Sequence, residues 1–206
     1  MEMSSKHGKQ LALVPQLRPG EGSLIEISRQ DVTEPDGNTS FTFKVNIGEA
    51  PVPNRRFYAD SAAVMFDNGQ LRIVLGQRKL VGRSLKSAVV VFMSGQAAQQ
   101  FMKTCETFYP EIQEYAKKHD INEGLTELTE EPEHTTSVTA NIIVAGFTGR
   151  EGCLDLYNAS PFVIATLRRG GRKMAVDPIV RVDLSTGLML AILDKLDSLK
   201  DQFPSF

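Results

Sequence analysis

Side chains able to do acid–base, nucleophilic or metal chemistry are thinly spread through this chain of 206 residues. Its three histidines are His7, His119 and His134, and none lies within three or four positions of another histidine or a cysteine. The spacing that lets one helix face or one hairpin hold a metal ion is therefore missing. Its two cysteines, Cys105 and Cys153, form neither a CxxC pair nor a disulfide framework. Cys105 falls on an apolar helical stripe, and both thiols read as small packed hydrophobes of a reducing compartment. Gly146, Gly149 and Gly152 carry the spacing of a phosphate cradle, but strand patterns flank them on both sides and no Gly-Lys-Ser/Thr follows. A cradle needs a helix N-terminus after the loop, so a hairpin is expected instead. Asp155 and Asp183 read as lone carboxylates on a solvated sheet face. No catalytic set, metal site or cofactor is expected.

One feature survives. Arg78, Lys79, Arg83 and Lys86 precede one apolar strand pattern, and Arg168, Arg169, Arg172 and Lys173 precede a second. Loops are exposed and collect charge, which is the plain reading. The functional reading is a paired basic edge that grips phosphates or an acidic protein segment, with Gly170 and Gly171 letting backbone approach closely. The same charges could dock within the chain on the acidic stretch of Glu123, Glu127, Glu130, Glu131 and Glu133.

The elements that would carry these residues are written twice. AVVVFMSGQAAQQFM, at 88–102, is answered by PIVRVDLSTGLMLAIL at 178–193. Val89, Val91, Met93 and Ser94 match Val180, Val182, Leu184 and Ser185. Beyond the serines, Phe101, Met102, Cys105, Phe108 and Ile112 fall opposite Ile192, Leu193, Leu196, Leu199 and Phe203, one helical stripe repeated. Ser94 is expected at a helix N-cap, and Pro110 must bend or break the helix that follows. Asp67, Asn68 and Gly69 predict a tight hairpin. In the second repeat Ala140, Asn141 and Phe147 answer Ala59, Asp60 and Phe66, with Leu154 and Leu156 opposite Leu71 and Ile73 and a turn two residues longer.

These patterns predict an α+β fold: a tandem repeat of antiparallel strands followed by a helix, pseudo-two-fold symmetric, with the helices packed on one sheet face. The divisions are a flexible N-terminal arm at 1–22, N-terminal strands at 23–56, repeat 1 at 57–121, an acidic linker at 122–135 and repeat 2 at 136–206. Val90 and Phe92 make the third strand of repeat 1 apolar on both sides. Its outer face needs a cover, either the N-terminal strands or a second protein chain.

Residues 58–76, YADSAAVMFDNGQLRIVLG, followed by AVVVFMSGQAAQQFM, resemble a small uncharacterised bacterial and archaeal family. Its landmarks are Tyr-Ser/Ala-Asn, a Phe-x-Leu-x-Phe strand, a basic loop and a strand ending in Thr/Ser-Pro-Gln. Tyr58, Ala59, Asp60, Ser94 and Gln96 match them; the second repeat keeps Ala140, Asn141 and Ser185 and has Gly187 for the Gln. Family members have one repeat, so the resemblance implies a fused pseudo-dimer if they act as homodimers, and it implies no activity. The order of strands before helix is also similar to the export chaperone SecB, as a likeness of fold alone.

Composition narrows the remaining classes. A net charge of -2 and pI near 6.0 supply no global field for nucleic acid or anionic membrane. The apolar run at 11–14 is cut by Pro15 and is too short for a signal core or a membrane span. A cytoplasmic, non-catalytic binding or assembly protein is expected, acting through sheet edges and apolar surface on a protein partner or a further copy of itself, with Val90 and Phe92 at the interface. The alternatives are a SecB-like chaperone for unfolded chains, nucleic-acid binding through the basic loops and, last, an enzyme whose site is assembled from residues distant in sequence and so leaves no motif.

Overall fold

The computed structural model describes residues 23–33, 39–45, 51–79, 84–106, 108–128, 130–161 and 173–203. The expected N-terminal arm and an apolar run at 162–167 lie outside the described residues.

In chain order, β1 (Ser23–Thr33) and β2 (Thr39–Val45) form an antiparallel pair. A short strand, β3 (Arg56–Tyr58), leads into β4 (Ser61–Asp67), β5 (Gln70–Arg78) and β6 (Leu85–Ser94). Helices α1 (Gly95–Cys105) and α2 (Tyr109–Lys118) follow. The second half runs β7 (His134–Thr139), β8 (Ile142–Thr148), β9 (Glu151–Asn158), β10 (Lys173–Ser185) and α3 (Thr186–Leu199), closed by a 3-10 turn at Lys200–Gln202.

Local chemistry accounts for the boundaries. Asn68 and Gly69 adopt φ of 50° and 75°, the left-handed values a two-residue hairpin requires. The Ser94 hydroxyl accepts from the Ala97 amide at 3.2 Å and the Ser185 hydroxyl from the Leu188 amide at 3.0 Å, so each helix starts on a serine cap. Pro110 breaks the helical stripe: α1 stops at Cys105, and the proline sits in the first turn of α2, where its missing N–H costs nothing. Pro178 lies inside β10, where the register with β9 shifts between Pro178 and Val180. A bulge tolerates the donor that proline lacks.

The fold is α+β, with two four-stranded bodies ordered β4-β5-β6-β7 and β8-β9-β10-β3; the β1–β2 pair joins the start of β10 and extends the second sheet to six strands. The sheets are mixed, not purely antiparallel. β7 runs parallel to β6, and β3 runs parallel to β10. Each half thus lends the strand that precedes its own meander to the edge of the other half's sheet. Matching hydrogen bonds fix both crossings: Ala59 donates to the Asp183 carbonyl at 2.9 Å, and Ala140 to that of Phe92 at 3.1 Å. The expected longer second hairpin is corrected. Both turns hold two residues, Asp67 pairing with Gln70 and Thr148 with Glu151. Leu154 therefore occupies the place of Ile73, and the place of Leu71 falls to Gly152, whose absent Cβ would lie 2.6 Å from the Met189 methyl.

Both sheets and the three helices of the described residues contribute to one core. The ten stripe residues named from the sequence all belong to it or pack against it. α1 packs on β5 and β6 but also on β8, and α3 packs on β9 and β10 but also on β4. Neither helix is confined to the strands of its own half. Ser185 also donates to the Glu123 carboxylate at 2.7 Å, so this cap ties the α3 start to the segment between halves. Ser185→Ala is expected to lower unfolding free energy by about 1 to 2 kcal/mol, and Ser94→Ala by about 1 kcal/mol. Urea titrations followed by circular dichroism measure both, and equal or smaller losses at Ser185 would disprove the tie.

Candidate functional site

Strand alternation sends Arg72, Val74 and Gly76 of β5, with Ala88, Val90 and Phe92 of β6, to the face of the first sheet that points away from the helices. Val90 is 1% exposed and lies in a small second core with Ala63, Val74, Leu85 and Ala88. Phe92 and Leu128 are partly buried against it. The sequence leaves the N-terminal strands or a second chain as cover for Val90; among the described residues Leu128, from the acidic segment, packs against this patch.

That segment is strapped across the sheet. The Thr126 amide donates to the Ala62 carbonyl at 2.7 Å on the β4 edge, and the Thr126 hydroxyl meets that of Ser61. At the other side, the Glu133 amide donates to the Leu85 carbonyl at 3.3 Å. Lys79 holds the Glu133 carboxylate at 2.7 Å and keeps its acid below the usual carboxylate range. Glu131 stands 3.9 Å from the Arg72 guanidinium.

The proposed basic edge is divided by this placement. The Arg78 amide donates to Asp60 Oδ1 at 2.9 Å and its guanidinium to the Thr126 hydroxyl at 3.4 Å. Lys86 is exposed on β6. Arg83, Arg168, Arg169 and Arg172 lie outside the described residues, and Lys173 is placed by its backbone alone, opposite Glu26. In the first half, then, Lys79 faces an acid of its own chain.

The outer face of the second sheet has different chemistry at the same register. Where Val74 faces Val90 in the first sheet, Asp155 faces Arg181 here. Nε and Nη2 of Arg181 donate to the two Asp155 oxygens, each at 2.6 Å. Arg56, on the borrowed β3, grips Asp183 in the same manner at 3.1 and 3.2 Å. Asp155 is therefore buried and paired, not solvated as its isolation in sequence suggests. Its bidentate grip raises the Arg181 pKa. Tyr157, buried beside this pair, donates its hydroxyl to the Pro51 carbonyl at 3.0 Å, and burial pushes its phenol up to about 12. Arg56 and Arg181 were not legible as partners of these acids, although the Arg181-Val182-Asp183 alternation does place two charges on one face.

Elsewhere the thiols are buried or half-buried and the described histidines are exposed. Burial pushes the Cys105 thiol up to about 12 and raises that of Cys153. The His119 ring lies 4.3 Å from that of Tyr115, and His134 opens β7 in an exposed position. Among the described residues no group of three or more His, Cys, Asp or Glu is arranged to hold a metal ion. Between the helices, Tyr109 donates to Asp194 at 2.5 Å beside a cavity of about 310 Å³ that Lys103, Glu106 and Lys200 also line. Among the described residues no helix is long and apolar enough to cross a membrane.

No known protein family, curated protein or solved structure matches this chain. The family resemblance and the SecB likeness gain no support from them, so a functional reading rests on the geometry of faces and edges.

Arg181→Met leaves the Asp155 carboxylate buried without its partner, while the Arg181 side chain itself is 23% exposed. The expected loss is about 2 to 3 kcal/mol, below the range for a fully buried pair, and Arg181→Met with Asp155→Leu should recover most of it. Urea unfolding of both variants checks this. Burial raises both thiol pKa values, so the thiolate fraction at pH 8 is suppressed; iodoacetamide should label Cys153 slowly and Cys105 only after unfolding, as read by mass spectrometry.

Proposed function

We propose that this chain is a fused pair of one folding unit that serves as a binding or assembly protein, adding strands of a protein partner or of a further copy to its open sheet edges. The observation that carries this reading is β7. Among the described strands it is the terminal one on its side of the first sheet, and five of its six residues are exposed. Natural edges are guarded by proline, lysine or a bulge. The β7 sequence His-Thr-Thr-Ser-Val-Thr has none of the three, and its register with β6 is uninterrupted. Thr135, Thr136, Val138 and Thr139 are β-branched, which suits an added neighbour. The β4 edge is different, since Thr126 already bonds to Ala62 there. Large exposed hydrophobics among the described residues are Val52, Tyr58 and Met65, which favours recognition through backbone over an apolar holdase groove.

Thr135→Lys with Ser137→Lys places two charges on the exposed side of this edge without touching Val138, which packs on the core. Partners captured from native extract, or association seen by sedimentation, should be lost from this variant while its circular dichroism is unchanged. Capture and mass equal to those of the wild-type chain would overturn the reading.

A further inference from the structure

The outer faces of the two sheets treat their arginines differently. On the second sheet, Arg56 and Arg181 each present Nε and Nη2 to both oxygens of an aspartate. Arg72, on the outer face of the first sheet, has the same two nitrogens and no such acceptor among the described residues. Its Nε is buried and makes no hydrogen bond. Its Nη2 lies 3.9 Å from Glu131, beyond hydrogen-bonding reach, and Glu131 is 83% exposed. A guanidinium carries five donors in a fixed fork, and a buried donor without an acceptor costs free energy that a bound anion would relieve.

The surroundings show what kind of anion fits. Arg72 lies over the Phe92 ring, 6.0 Å from its centroid, which holds the guanidinium plane in place. Both line a cavity of about 510 Å³ with Met65, Asp67, Asn68 and Gln70. Met65 is 38% exposed and supplies an apolar wall beside Phe92. The Asp67 carboxylate accepts from the Asn68 amide at 3.0 Å, which occupies one of its oxygens. A planar carboxylate matches the fork edge that this protein twice fills with aspartate, and an aromatic or aliphatic group attached to it would lie on Phe92 and Met65.

We propose that Arg72, Phe92 and Met65 form a binding site for a carboxylate attached to an apolar group, on a small molecule or on an acidic peptide segment, with Glu131 as its displaceable internal competitor. The site is independent of the β7 edge. It is tested by titrating the full ¹⁵N-labelled chain with phenylacetate, with a Phe-Glu dipeptide, with phenethylamine and with inorganic phosphate, while following the Arg72 Nε–H resonance assigned through Arg72→Lys. The carboxylates should shift that resonance saturably, along with the Met65 and Gln70 amides, and phenethylamine should not. Tighter binding of phenylacetate identifies a small-molecule source, and tighter binding of the dipeptide a peptide source. Arg72→Gln should weaken binding at least about tenfold. Glu131→Gln, at an exposed position, should strengthen it about twofold to fivefold. No saturable shift with either carboxylate, equal affinity in Arg72→Gln, unchanged or weaker affinity in Glu131→Gln, or phosphate binding as tightly as phenylacetate would overturn the proposal.

Discussion

The exchange of β3 and β7 between the halves is the constraint on which the rest of the structure depends. Each is a short strand whose own meander lies in the other sheet, and each pairs in parallel with the strand that feeds a helix. A parallel neighbour cannot be reached by a tight turn, so it must arrive from a distant part of the chain. Here it arrives from the other half, and the crossing bonds at Ala59 and Ala140 hold it there. The helices reinforce the exchange, because α1 reaches β8 and α3 reaches β4. Separating the halves would open both sheet edges and strip both helices of part of their cover, which ties the two halves into one cooperative unit.

The outer faces of the two sheets differ in chemistry. At matched register the first sheet places Val74 beside Val90, and the second places Asp155 beside Arg181. The two solutions have different physical requirements. Apolar pairs gain from any cover that excludes water, and Leu128 on the acidic strap supplies part of one. A buried carboxylate instead demands a partner of fixed geometry, which Arg181 supplies through two short hydrogen bonds. The faces therefore differ in what covers them. The second is closed by its own ion pairs, and the first is covered by a segment whose charged contacts are exposed.

Features encoded within a few residues were legible from the sequence. The Asn68-Gly69 turn, the serine caps of α1 and α3, the break at Pro110 and the ten-residue stripe depend on local backbone and side-chain chemistry, and the structure has each of them. The α+β class, strands followed by helices, was legible for the same reason. The register of the second hairpin was not. Opposing Leu154 to Leu71 implied a longer turn, whereas Gly152 fills that place because Met189 packs against it.

What tertiary structure alone decided involves pairs far apart in the chain. No periodicity announces that His134–Thr139 pairs with β6, that Arg56 grips Asp183, or that an acidic linker covers Val90. Each depends on which face of which sheet two distant segments reach. The sequence by itself determined the elements, their caps and their apolar stripes, since these follow from neighbours three or four positions away. The folded chain decided which strands cross, which arginines grip an aspartate through two hydrogen bonds, and that Arg72 stands 3.9 Å from Glu131 instead, since a charge's partner is set by distance in space.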